Sequence, residues 1–181
     1  MTQVGVILYG PPASGKDTVT KALNNLDDNY ALFRRLKVGS GRMSEYRPLS
    51  EAGLSDLRAS NEVIWENHRY GNAYVVDRPS LVRSLSEQIP ILHLGQVEAI
   101  RHVKDAVPHA RWLVVYLSCP REVAEQRIKE RATGDTTERL RAWDETEPLE
   151  GADMVIDTSV VEPDDAARKI ARLITEARDR G

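Results

Sequence analysis

Nine residues near the start of the chain carry the strongest chemical signal. Gly10-Pro11-Pro12-Ala13-Ser14-Gly15-Lys16-Asp17-Thr18 has two glycines five apart and a lysine directly after the second. The apolar run 4–9 precedes it and an amphipathic stretch follows. Glycines there let backbone N–H groups turn inward around an anion, and a helix start adds unsatisfied donors and the positive end of a dipole. The lysine would neutralise charge on the phosphates of a nucleoside triphosphate during transfer. The residue after the lysine is usually Ser or Thr. Here it is Asp17, with Thr18 one place later. Asp17 and Thr18 are the candidate Mg²⁺ contacts, although an acid in a first helical turn is also favoured by the dipole alone, and that reading of Asp17 is preferred.

A second group is cationic. Arg127 and Arg131 are four apart and share a helix face. A short Ala-Thr-Gly-Asp-Thr-Thr break at 132–137 follows, then Arg139 and Arg141. Phosphoryl transfer between anions needs cations around the moving group, so Arg127, Arg131 and Arg139 join Lys16 as candidate catalytic residues, with Arg141 competing with Arg139. Glu122, Glu125 and Glu130 lie between them, so a solvated, ion-paired face is the competing reading. On the acceptor side, Ser40, Arg42, Tyr46, Tyr74 and Arg78 offer the hydroxyls and guanidinium forks that hold phosphate. Arg47 is a weaker candidate, and Arg34 and Arg35 read as the solvent face of a strand. His93 and Gln96 end an apolar run, where open parallel sheets bind ligands.

These groups need a frame. Short apolar runs at 4–9, 31–38, 89–94, 111–117 and 154–156 alternate with amphipathic stretches at 16–26, 80–87, 96–106, 121–132, 137–145 and 164–180. That is the pattern of an α/β fold, a parallel sheet covered by helices. Residues 39–79 break the rhythm and hold one expected helix around 54–65. The expected organisation is a single domain over 1–181, with a core of 1–38 and 80–181, an insertion at 39–79 and a lid near 132–138. A length of 181 residues suffices for one real core. The net charge of −3 offers no global field for nucleic acid or an anionic membrane. The only cysteine, Cys119, excludes an intrachain disulfide and reads as a packed thiol. No apolar run is long enough to span a bilayer, and the expected location is cytoplasmic, as a monomer or homodimer.

The motifs together resemble the nucleoside-monophosphate kinases, the guanylate kinase family most of all. The phosphate loop carries the resemblance, with Gly71-Asn72-Ala73-Tyr74 and Arg78 at the family's acceptor segment, Arg127 to Arg131 at its lid, and Val155-Ile156-Asp157-Thr158 at its adenine-side loop. The resemblance implies a P-loop NTPase three-layer fold with a five-stranded parallel sheet, an acceptor-binding insertion and a short lid. It also implies ATP and Mg²⁺ as cofactors, with Asp157 and Thr158 beside the adenine. The positions with which the family reads guanine hold Trp65, Val76, His93 and Gly95, with Glu66 one residue off register. A carboxylate on the two donors of guanine has no substitute in Val or Gly, so GMP is expected to be a poor acceptor unless Glu66 slips into place. The expected function is ATP-dependent transfer to a small phosphorylated acceptor, a nucleoside monophosphate first. A sugar-phosphate kinase, such as one for ribose 1,5-bisphosphate, is the alternative. A non-catalytic binding module is the third reading, disfavoured by the intact glycines and Lys16. Asp77 could act as a base for a hydroxyl acceptor, and Trp65 and Trp143 read as packing.

Overall fold

The computed structural model describes residues 3–179. Strand β1 (Val4–Tyr9) is buried along its whole length. It lies between β7 (Ile89–Leu94) and β8 (Arg111–Ser118), parallel to both. The edges are β2 (Tyr30–Leu32) and β9 (Met154–Asp157), giving the order β2-β7-β1-β8-β9, all parallel. Strands covered on both faces read as continuous apolar runs rather than alternating ones, which is why 4–9 and 89–94 were legible.

Alternation within β1 assigns its residues to two layers. Val6 and Leu8 pack with Val19 and Leu23 of α1 (Lys16–Leu26) and Ile170 and Ile174 of α7 (Pro163–Asp179). Ile7 and Tyr9 pack on the other face with Leu81 of α3 (Arg78–Glu87) and Val103 of α4 (Val97–Ala106). The expected end of the last helix, position 180, lies outside the described residues. Beside the phosphate loop, α5 (Arg121–Arg131) and α6 (Thr136–Asp144) close a small cluster of Ala13, Cys119, Ala124 and Ile128. No helix among the described residues is long and apolar enough to cross a membrane.

The excursion after β2 differs from its expected form. The run 31–38 is not one strand. It breaks at Phe33–Arg35, and β3 (Leu36–Val38) joins a second sheet with β4 (Arg47–Pro48), β5 (Val63–Arg69) and β6 (Asn72–Asp77), in the order β4-β3-β6-β5. The helix expected over 54–65 is displaced. α2 runs Glu51–Ala59, starting where the Ser50 side chain accepts from the Gly53 N–H and ending before Asn61, whose φ is 56°. The β-branched and aromatic Val63-Ile64-Trp65 then extend as strand. Leu54 packs under this sheet with Leu36, Val38, Ala73 and Val75.

A two-residue turn, Tyr70-Gly71, joins β5 to β6 with both φ angles positive, 55° and 71°. This is the twist that hairpins favour. Asn72 secures it: its amide donates to Tyr70 O at 2.9 Å, and its oxygen accepts from Ser40 N at 2.8 Å. Gly39 allows that approach, since a Cβ there would fall 1.9 Å from Asn72 Oδ1.

Candidate functional site

The phosphate loop leaves β1 at Gly10, where a Cβ would meet Leu117 O at 2.3 Å, so only glycine fits. Ser14 is fully buried. Lys16 folds back over the loop, its ammonium donating to Gly10 O at 2.6 Å, Pro11 O at 2.8 Å and Ser14 Oγ at 3.3 Å. Burial pulls its pKa from 10.5 down to about 8, outweighing the neighbouring Asp17. The loop therefore holds a cation in a cradle of backbone oxygens, poorly solvated and ready for a stronger anionic partner.

Two cavities flank the loop and share Ala13, Gly15 and Arg131 in their walls. The smaller, of about 460 Å³, runs between Thr18, Arg127 and Thr158. Arg127 is locked there, donating to Ala13 O at 3.1 Å, Thr158 Oγ1 at 3.1 Å and Thr158 O at 2.7 Å. Thr158 in turn donates to Ser14 O at 2.8 Å. Asp157 turns away to accept from Ser159 N and Oγ, at 2.8 and 2.6 Å, and those bonds hold its carboxyl below the usual range. It shapes the loop rather than lining the cavity.

The larger cavity, of about 540 Å³, opens between the loop, the second sheet and α6. Ser40, Arg42, Tyr46, Tyr74, His93, Gln96, Arg131 and Arg139 from the candidate set all line it. Tyr46 and Tyr74 tilt against each other at 5.2 Å between ring centroids. Two cations lie over them: Arg35, 5.3 Å from the Tyr74 ring, and Lys37, 5.4 Å from the Tyr46 ring. Burial lowers the pKa of Lys37, which donates to Arg42 O at 3.0 Å. Arg42 itself is largely exposed and paired with Glu45. Arg35 thus lines the cavity beside both tyrosines, contrary to its reading as solvent face. The available signal was the two-residue spacing of Arg35 and Lys37, which turns both side chains one way along extended chain. Arg34, on the other side, is exposed and donates to Tyr46 O at 2.9 Å.

Two acceptor candidates are not brought to this cavity. Arg78 donates to Ala106 O at 2.6 Å and faces Glu62 at 3.7 Å, tying the sheet to α4. Glu66 is bound by Arg58 and by His68 at 2.7 Å, and those contacts, Arg58 first, hold its carboxyl low. In the β5–β6 ladder, Asn67 opposes Tyr74 and Arg69 opposes Asn72, all lining the cavity, whereas Glu66 opposes Val75 on the α2 side. A one-residue slip would turn every side chain to the wrong face, so Glu66 cannot reach the cavity without undoing the sheet. Asp77 is engaged away from this cavity: it pairs with Arg47 and caps α3 by accepting from Ser80 N at 3.1 Å. Trp65 packs against His102 at 5.2 Å, and Trp143 packs beside the Cys119 cluster.

Asp17 and Thr18 diverge, one to each cavity. His93 stands beside Asp17, its Nδ1 3.4 Å from Oδ1, while its Nε2 bonds Thr20 Oγ1 at 2.7 Å. The contact with His93 is the first cause drawing the Asp17 carboxyl down to about 2, and burial keeps His93 itself below its usual pKa. Of the carboxylates lining the larger cavity, Glu45 pairs with Arg42 and Asp135 with Arg139, whereas Asp17 makes its close contact with His93 and feels Lys16 and Arg131 at longer range. Among the described residues, no three His, Cys, Asp or Glu gather as a metal cluster. Arg139 lies over the Tyr70 ring at 5.3 Å, and the Arg131 side chain makes no hydrogen bond or ion pair among the described residues.

Solved structures share this architecture. A guanylate kinase from Anaplasma phagocytophilum is 17% identical over 97% of this chain and 86% of its own, with a TM-score of 0.58. A protein designated APE1195 is 20% identical over 97% of this chain and 96% of its own, with a TM-score of 0.61. No family model matches the sequence, and no curated protein is significantly similar to it. The chain has the guanylate-kinase-like P-loop fold, with its five-stranded all-parallel sheet.

Proposed function

We propose that the protein is an ATP-dependent phosphotransferase that moves the γ-phosphoryl group of ATP onto a small phosphorylated acceptor of the nucleoside-monophosphate class. One observation carries this reading: two cavities meet at the phosphate loop, with Arg131 in the walls of both and Lys16 in the wall of the larger. ATP fits the smaller cavity, its phosphates in the loop and its base between Arg127 and the Thr158 loop. Mg²⁺ usually takes one or two carboxylates and keeps several waters, and Asp17, which lines the cavity and forms no ion pair with a Lys or Arg among the described residues, suits that arrangement. The metal would supply charge neutralisation on the β- and γ-phosphates.

The chain's own residues do the rest. Arg35, with the Tyr46 and Tyr74 hydroxyls, holds the acceptor phosphate. An oxygen of that phosphate attacks the γ-phosphorus, the bond to the β-phosphate oxygen breaks, and ADP leaves. A phosphate monoester is mostly dianionic at neutral pH, so no general base is required, which agrees with Asp77 being occupied elsewhere. Lys16 and Arg131 offset the charge spread over the moving group. A phosphorylated sugar is the second reading, favoured by the buried, apolar Val76 and its opposite residue Trp65, which give a purine no carboxylate. An ADP-release assay across AMP, CMP, GMP, UMP and ribose 1,5-bisphosphate tests both. ADP release no greater than that of a Lys16 variant, with every acceptor, overturns the proposal.

A further inference from the structure

Most polar groups around the acceptor cavity already have protein partners. Arg42 holds Glu45, Arg69 holds Glu145 at 2.6 Å, Arg139 holds Asp135 at 2.7 Å, and both ends of the Asn72 amide are bonded. Two neutral carboxamides stand apart. Asn67 Oδ1 is shielded from water with no hydrogen-bond partner. Gln96 occupies the N-cap position of α4 and makes no cap bond with its side chain. Both line the cavity. Native proteins rarely leave a buried amide oxygen unmatched, because its lost hydration is not returned. A half-turn about the last side-chain bond exchanges oxygen and NH₂, so Asn67 can offer either atom to a ligand.

Position gives the group its meaning. Asn67 lies directly opposite Tyr74 across the hairpin, beside the cationic centre that suits a phosphate. The next cross-strand pair on that face, Trp65 and Val76, is apolar, with Val76 fully buried. Asn67 is therefore the last polar residue that this face of the hairpin offers to whatever extends from the phosphate. A carboxamide carries one kind of donor and one acceptor side by side, whereas a carboxylate only accepts. It pairs bidentately with an edge that has a donor next to an acceptor, as adenine does. Guanine also has a mixed edge, O6 beside N1–H, but pairing there leaves its N2–H₂ unmatched, and across the N1–H/N2–H₂ edge one donor would face the amide NH₂.

We propose that Asn67, with Gln96 as a second contact, is the specificity-determining residue for the acceptor base. It selects an amino-nitrogen edge of the adenine or cytosine type over the two-donor edge of guanine. The inference rests on the kinase reading above and deepens it.

The test compares wild type, Asn67→Ala and Asn67→Asp with AMP, CMP, GMP, UMP and ribose 1,5-bisphosphate, by equilibrium binding and by ADP release. Glu66→Ala serves as a control on the opposite face. Wild type is expected to favour AMP or CMP over GMP at least tenfold in kcat/KM. Asn67→Ala should raise the KM of that acceptor about tenfold with little change in kcat, which a merely structural role would not produce. Asn67→Asp should move the ranking toward GMP, since it converts a mixed edge into an acceptor-only one. If Asn67→Asp does not fold, as judged by circular dichroism, the Ala variant still decides. Unchanged ranking in both variants, or wild type preferring GMP, overturns the inference while leaving the kinase reading standing. Turnover with the sugar phosphate alone overturns base reading. ATP binding without transfer to any acceptor overturns the kinase reading, and this inference with it.

Discussion

The two sides of the cleft are built on opposite plans. On the donor side nearly every functional group is already satisfied by backbone: Lys16 by Gly10 O and Pro11 O, Arg127 by Ala13 O and Thr158 O. On the acceptor side the partners are other side chains, as Glu45 for Arg42 and Asp135 for Arg139. Among the described residues the Arg35 side chain makes ring contacts but no hydrogen bond or ion pair, and Asn67 Oδ1 has no hydrogen-bond partner. A site wired to its own main chain is rigid before ligand arrives and tolerates little substitution. A site with unmatched groups takes its geometry from the ligand, and a change there alters what is bound before it alters the rate.

The sharpest way to break this contrast is Lys16→Met. We expect kcat to fall at least about a hundredfold, because a charge aimed at the moving phosphate is lost. The same change should raise the melting temperature at pH 7. The sign follows from the lowered pKa: below about 8 the folded protein holds a buried ammonium that the unfolded chain hydrates freely, so the charge opposes folding. That penalty fades as pH rises from about 8 toward 10.5, and the gap between variant and wild type should close over the same range. Near-normal turnover would remove the donor-site assignment. A lower melting temperature at pH 7 would show that the carbonyl cradle outweighs desolvation.

The next test separates two arginines that the sequence treats alike. Arg131, unpaired at the junction of the cavities, should lose about tenfold or more in kcat as Arg131→Gln with ATP affinity nearly kept. Arg127, bonded to the loop and to Thr158, should lose ATP affinity as Arg127→Gln, because it sets the position of the donor wall. Steady-state kinetics and ATP titration read the split, and identical profiles for the two variants would erase the distinction.

Smaller effects are expected where the second sheet is merely scaffold. Asp77→Ala removes a carboxylate that pairs with Arg47 and caps α3. Denaturant unfolding should register a loss of about 2 kcal/mol or more, since a partly buried cation loses its partner and a helix its cap. A loss within about 0.5 kcal/mol, the range of an ordinary surface change, would mean the pair is idle. Smallest of all, Glu66→Gln should change the acceptor KM by less than about twofold. A tenfold rise would return Glu66 to the acceptor site and contradict the ladder.

How much could be read in advance differed in the same way between the two regions. The phosphate loop is contiguous, and its chemistry depends on local backbone conformation between one strand and one helix, so nine adjacent residues suffice to identify it. The central strands were also visible, because burial on both faces writes itself as an unbroken apolar run. The acceptor sheet is not local. Its strands are two to seven residues long, too short for periodicity to separate a strand from a helix end, so 54–65 reads from sequence as one helix. Whether Glu66 or Asn67 faces the ligand turns on a single step of pleat, and that step is set by pairing with β6 through the Tyr70-Gly71 turn and by Leu54 beneath. Arg35 and Arg78 make the same point from both directions. Each is an arginine whose type alone allows either face, but only the pairing of β3 with β4 and β6 brings Arg35 beside Tyr46 and Tyr74, and only the start of α3 carries Arg78 away to Ala106. The residue types and the phosphate loop therefore follow from the chain order, whereas the choice among equivalent arginines and carboxylates is made by long-range pairing, which no short window of sequence contains.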